Sequence, residues 1–198
     1  MGNERLSAFS DGVIAILITI MVLELKVPHG TDLAALSGLL PIFLTYVLSF
    51  VVLAIYWNNH HHMFYLTDRV TGGILWANLH LLFWLSLMPF VTGWMGENHF
   101  APLPTALYGV VLMMSGVAYY ILERTIVRSQ GAGSRLQIAI GKDTKGKISV
   151  VLYAIAIPLA FVNQLLSDVI YVSVALMWFI PDRRIEALFN QPVGGSDL

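Results

Sequence analysis

Residues 5–25 read Arg5-Leu6-Ser7-Ala8-Phe9-Ser10-Asp11-Gly12-Val13-Ile14-Ala15-Ile16-Leu17-Ile18-Thr19-Ile20-Met21-Val22-Leu23-Glu24-Leu25. A spanning helix needs about 20 apolar residues, and this stretch supplies nearly that many behind a short polar entry. Arg5 ahead of an apolar run is also how a signal peptide begins. Asp11 lies at the start of the run, however, and no small-residue cleavage site follows Leu25. The segment is therefore read as a retained first helix.

Working outward, the rest of the chain has the same character. Of 198 residues, 57% are hydrophobic and only 12% charged. Mean hydropathy is +0.73. A soluble domain of this size would need more polar surface. This composition excludes a disordered chain, a nucleic-acid binder driven by a basic face, and most soluble enzymes. With no cysteine, thiol chemistry and cysteine-ligated metal sites are excluded. Five more apolar segments follow. The expected fold is an all-α integral membrane protein, one domain over 1–198. Its six transmembrane helices lie at about 5–26, 41–64, 72–94, 103–127, 147–166 and 168–180. Asp32 to Leu36 is too short to span and reads as a surface turn of helix. Ser167-Asp168 reads as the turn of a tight hairpin, and Pro181 closes the last helix.

Charge orients the helices. With six spans and a cytoplasmic N-terminus, Arg5, Arg69, Arg124, Arg128, Arg135, Lys142, Lys145, Lys147, Arg183 and Arg184 fall on the cytoplasmic side. Lys26 alone falls outside. Such an imbalance is the positive-inside pattern, and it places both termini in the cytoplasm. The expected location is the cell (inner) membrane, crossed several times. The six basic residues between Arg124 and Lys147 read as an orientation signal near anionic lipid headgroups.

Asp11 in a membrane helix is costly unless it faces protein or water and has a partner. Arg5 stands six residues earlier, about 120° round the helix, and is an imperfect one. The alternating topology brings Asn58 to His62 and Trp76 to His80 to the same depth as Arg5, Ser10 and Asp11. A cytoplasmic-side hydrogen-bond cluster joining the first three helices is expected. It serves either as a clamp on the first helix or as a proton or ion relay. His60, His61 and His62 point about 100° apart and suit no single metal. Ile16, Ile20, Leu23 and Val27 form one stripe bordered by Thr19. In isolation such a stripe is more often a packing face than a pore face. No voltage-sensing ladder, carbonyl-filter loop, P-loop or hydrolase motif is present.

Several of these motifs, in order, resemble the transmembrane protein 175 family of lysosomal potassium channels and bacterial homologues. Arg5-x-x-x-Phe9-Ser10-Asp11-Gly12 with Ala15-Ile16 and Thr19 resembles its first helix. Tyr46-x-x-Ser49-Phe50 through Tyr56-Trp57-x-x-His60-His61 resembles the second. Leu75-Trp76-Ala77-Asn78 with Leu85-Ser86-x-x-Pro89-Phe90 resembles the third, and Trp178-Phe179-x-Pro181-Asp182-Arg183-Arg184 the end of the sixth. The resemblance implies a passive, potassium-preferring cation channel, not an enzyme, with no cofactor beyond the permeant K+. It implies a homotetramer in membrane lipid whose central pore is lined by the first helix, without a carbonyl filter. The constriction then falls on Ile16, Ile20 and Leu23, and selectivity on Thr19. Arg5, Ser10, Asp11, His61, Trp76 and Asn78 position the helix. The permeants are potassium and other monovalent cations, and no nucleic acid is involved. An ion-coupled carrier or proton pathway through Asp11 and the histidines is the alternative, and a non-transporting membrane subunit a third.

Overall fold

A computed structural model describes residues 2–131, 134–140 and 143–179. Lys142, Pro181, Arg183 and Arg184, which figure in the sequence expectations, lie outside the described residues. The described chain is helical throughout. It comprises α1 (Asn3–Ile20), a 3-10 turn (Met21–Glu24), α2 (Leu33–Ser37), α3 (Leu40–Tyr65), α4 (Gly72–Ser86), α5 (Met88–Glu97), α6 (Pro102–Gln130), α7 (Arg135–Ile140), α8 (Thr144–Leu159) and α9 (Gln164–Phe179).

Among the described residues, four stretches are long and apolar enough to cross a membrane: Asn3–Glu24, Leu40–Tyr65, Gly72–Glu97 and Pro102–Gln130. Each reaches the length of about 20 residues that a bilayer core requires. The helices α8 and α9, with 16 residues each, fall short of that length. Six antiparallel rods result, running between the end that carries Asn3 and the end that carries Lys26. At the Asn3 end, the Asn3 side-chain amide donates to the carbonyls of Phe64 (2.6 Å) and Thr67 (2.9 Å). At the other end, Lys26 pairs with Glu97, which ties the close of the first rod to the close of the third. Glu97 holds the exposed Lys26 ammonium above its ordinary pKa, by its hydrogen bond first and its charge second.

Asp32 caps α2 by accepting from the Ala35 amide at 2.9 Å, the interaction a short helix start needs. Two boundaries differ from the sequence expectation. The third apolar segment breaks at Leu87, because Pro89 has no N–H to donate back to the Leu85 carbonyl. The turn between the last two helices lies at 160–163, not at Ser167-Asp168. Pro158 weakens the last turn of α8, and Asn163 caps α9 by accepting from the Leu166 amide (3.3 Å). Ser167 and Asp168 are therefore helical. The buried Ser167 hydroxyl donates to the Ala156 carbonyl at 2.8 Å and joins the two helices.

The core is a continuous apolar cluster from all six rods, with Ile14, Leu53, Leu81, Leu85, Met88 and Leu112 fully buried. Glycines allow close approach within it. A Cβ on Gly109 of α6 would overlap the buried Tyr171 hydroxyl and lie 2.8 Å from its Cζ. A Cβ on Gly116, two turns on, would meet nothing closer than 3.8 Å. Gly109→Ala should cost about 1–3 kcal/mol by overpacking. Gly116→Ala should be neutral or stabilising by up to about 1 kcal/mol through helix propensity. Thermal unfolding of the two purified variants, side by side, checks this; equal melting temperatures would refute it.

Candidate pore face and polar cluster

The two faces of α1 have opposite fates. Leu6, Ser10, Ile14, Leu17 and Met21 are buried against the bundle. Their spacing of three and four residues keeps them on one side of a 3.6-residue helix. Ile16 lies two residues, about 200°, from Ile14. It and its stripe mates therefore point away from the protomer. Ile16 is 62% exposed, Ile20 45%, Leu23 73%, and Thr19 lies beside them, also exposed. The Thr19 hydroxyl is 3.0 Å from the carbonyls of both Ala15 and Ile16. A hydroxyl has one proton and two lone pairs. With the proton turned to the backbone, the oxygen presents acceptor capacity outward.

The rotation of α1 is held by a buried chain of hydrogen bonds. Ser10 Oγ donates to the Leu6 carbonyl (2.9 Å) and accepts from Asn78 Nδ2 (2.9 Å). Asn78 Oδ1 lies 2.8 Å from His60 Nε2. An amide oxygen only accepts, so His60 carries its proton on Nε2. The His60 ring stacks on Phe64, one helical turn on, at 4.5 Å between centroids. Ser10, Asn78 and His60 are all fully buried, so each bond is made away from water and none can be replaced by it.

Of the residues expected in this cluster, the structure brings together Ser10 and Asn78. Asp11 is half-buried and accepts from the Ser7 hydroxyl (3.4 Å), while its Oδ1 is buried without a hydrogen-bond partner. Arg5, Trp76 and His61 are exposed on the protomer. His61 lies against Trp57 at 6.2 Å instead. The histidine facing α1 and α4 is His60, which lies within the expected Asn58 to His62 stretch, whereas the family resemblance singled out His61. A signal for it existed. His60 continues the stripe Ser49, Leu53 and Phe64, with successive spacings of four, seven and four, whereas His61 falls about 100° off it. Among the described residues no group of histidines and carboxylates is placed to hold a metal.

A second buried polar group supports the far end of α1. Ser49 Oγ is 2.6 Å from Thr92 Oγ1 and 3.0 Å from the Tyr108 hydroxyl, and Thr92 reaches Met21 Sδ at 4.0 Å. This joins α3, α5 and α6 beside the last turn of the first rod.

Residues 5–89 match the family of the endosomal/lysosomal potassium channel TMEM175. Over 94% of its length the chain is 54% identical to a potassium channel of Chryseobacterium sp. (strain P1-3), of which it covers 97%. The chain belongs to the TMEM175 family. It is thus related to ion channels and not to enzymes. The human endosomal/lysosomal proton channel TMEM175 is 36% identical over 83 residues, 36% of this chain and 16% of the human one. The crystal structure of a lysosomal potassium-selective channel TMEM175 homologue from Chamaesiphon minutus superposes with a TM-score of 0.80 at 27% identity. It covers 92% of this chain and 97% of that one.

The cluster makes a sharp distinction between neighbouring histidines. His60→Ala strands the Asn78 oxygen in the core and removes a stacked ring, and should lower stability by about 1–3 kcal/mol. His61→Ala on the exposed side should change it by less than about 0.5 kcal/mol. Chemical or thermal unfolding in detergent reads both, and the reverse order would refute the assignment of His60.

Proposed function

We propose that this TMEM175 family member is a potassium-preferring cation channel. It acts as a homotetramer in the cell (inner) membrane, with four copies of α1 around a central pore. Both termini are cytoplasmic, and α8 and α9 complete six crossings. The observation that carries this reading is the exposed stripe of Ile16, Ile20 and Leu23 with Thr19 beside it, on a helix whose opposite face is fixed in the core. The potassium-channel relatives support it.

Four such stripes facing one another form a narrow apolar passage. A passage of that kind does not hold a continuous water column, so an ion meets a desolvation barrier there. Ile16, Ile20 and Leu23 supply the barrier. Thr19 supplies outward oxygens that replace part of a hydration shell, and weakly hydrated potassium gives up its shell more readily than sodium. Ser10, Asn78 and His60 keep the stripe pointed at the axis, and Asp11 lies near the cytoplasmic mouth.

Reversal potentials in planar bilayers under asymmetric potassium and sodium test the reading. Unitary steps with a potassium-ward reversal potential are expected. Saturable flux with strict coupling would instead favour a carrier or proton pathway through Asp11 and the histidines. Ile16→Asn should wet the constriction, raise conductance and weaken selectivity. If both stay unchanged, Ile16 does not form the ring. Thr19→Val, which keeps shape and removes the oxygen, should lower the potassium-to-sodium permeability ratio by about threefold, the worth of a modest polar contact. An unaltered reversal potential removes Thr19 from selectivity.

A further inference from the structure

Away from α1, α8 packs on α6 and α9 while a cavity of about 380 Å³ separates it from α3. This is within the range of about 300–1,000 Å³ that small-ligand sites occupy. Its body is formed by Val52 and Tyr56 of α3, Gly116 of α6, Val150 and Tyr153 of α8, and Ala175 of α9. Gly116 is the reason there is room. A Cβ there would lie 3.8 Å from both Tyr56 Oη and Val150 Cγ2, so the missing side chain opens the space between the two walls. Val151 and Tyr120 carry the lining to the outer surface of the protomer, where both are exposed. A molecule dissolved in the membrane can therefore enter sideways.

The walls are mostly apolar, yet two phenols on them keep a proton to give. Among the described residues neither the Tyr56 nor the Tyr153 hydroxyl makes a hydrogen bond, although Tyr153 is only 6% exposed. Their polar neighbours on the lining spend theirs within the protein. Trp178 gives its indole N–H to Ser149 Oγ (2.8 Å), Ser149 gives its hydroxyl to the Lys145 carbonyl (2.9 Å), and Tyr119 gives its hydroxyl to the Asn59 carbonyl (3.3 Å). A buried phenol ordinarily finds a partner, and one left without it costs free energy. The Tyr56 and Tyr153 hydroxyls are thus donors that lack an acceptor.

That lack sorts the occupants. A saturated acyl chain fills the volume but leaves both hydroxyls stranded. Water finds too few polar partners over walls made mostly of carbon. An ion finds no surplus of charge, because at the mouth Lys147 and Arg124 face the carboxylates of Asp143 and Glu123. Asp143 is further held as the cap of α8, accepting from the Gly146 amide at 3.1 Å. An uncharged molecule with carbonyl oxygens meets the donors without these costs. The rings of Tyr56, Tyr119, Tyr153 and Trp178 line the space, and rings gain from offset or edge contact with another ring beyond the area they bury. A quinone nucleus is flat and uncharged, carries a carbonyl at opposite edges and has no proton to give.

We propose that this cavity binds an uncharged ring compound of the quinone class, lying between α3 and α8 with a carbonyl accepting from the Tyr56 hydroxyl. Tyr153 is the second donor within the same walls. The site lies apart from α1, and its test does not involve conduction.

The purified full chain in detergent is titrated with menadione, a naphthoquinone, or with methylnaphthalene, the same ring without carbonyls. Equilibrium dialysis against matched empty micelles reads the binding. The chain has no cysteine for menadione to alkylate. Menadione should bind saturably and at least about fivefold more tightly than methylnaphthalene, the effect of one net hydrogen bond. Tyr56→Phe should weaken menadione by about fivefold and leave methylnaphthalene unchanged. Gly116→Phe should fill the cavity and weaken both by about tenfold or more. Val150→Phe fills the same space from the opposite wall and serves if Gly116→Phe does not fold. No saturable menadione binding, or undiminished binding by the folded filling variant, overturns the site. Equal binding of the two compounds, or menadione binding that Tyr56→Phe leaves unchanged, overturns the carbonyl assignment.

Discussion

The hydrogen bond from Asn78 Nδ2 to Ser10 Oγ decides which side of α1 faces the protomer. A helix in an apolar bundle has little else to fix its rotation, since one leucine or isoleucine packs in lipid much as in protein. Turning α1 by one residue swings every side chain by about 100°. That would draw Ser10 from Asn78 and strand buried polar atoms, at a cost of roughly 1–3 kcal/mol for each. Because Asn78 is itself held by His60, the constraint extends through α4 into α3. The exposure of Ile16 and its stripe follows from this single registration.

The stripe and the clamp place contrary demands on one helix. The clamp needs polar atoms buried in protein, and the stripe leaves large apolar side chains with no partner inside the protomer. Both are met because the two sets lie roughly 120° apart round the helix and are displaced along the axis. Ser10 lies in the early turns, while Ile16, Ile20 and Leu23 occupy the later ones. Met21 then anchors the far end by packing in the core beside Thr92 and Ser49. On the proposed reading, a desolvation barrier for ions needs such an arrangement. An apolar ring acts as a barrier only while it is held narrow, and the fixed points lie on either side of Ile16.

The rods were legible in the sequence because length and apolar content alone mark a membrane-spanning helix. Ser10 and Asn78 were legible because polar side chains at one membrane depth seek each other. Periodicity was less decisive where the chain is apolar all round. The turn at 160–163 is hidden inside a continuous apolar run, and only Pro158 and the capping Asn163 betray it. The choice between His60 and His61 depended on carrying the stripe from Ser49 through Leu53 to Phe64. The Ser49, Thr92 and Tyr108 contact joins residues far apart in sequence, and no local pattern announces it. The cavity beside α8 was invisible for a related reason. A glycine in an apolar helix reads as close packing, and at Gly109 it is, whereas at Gly116 it leaves space.

The helix α3 connects these features, since it carries residues both of the clamp on α1 and of the cavity between α3 and α8. One of its sides carries Ser49, Leu53 and His60 toward α1, α4 and α5, and another carries Val52, Tyr56 and Asn59 toward the cavity. The two sides meet at a specific contact. The Tyr119 hydroxyl in the cavity wall donates to the Asn59 carbonyl at 3.3 Å, one residue before His60. Side chains in a close-packed bundle move together with their backbone. The cavity wall and the turn of α3 that presents His60 to Asn78 therefore share one hydrogen bond. The space beside α8 and the clamp that orients Ile16 in this way meet at a single turn of helix.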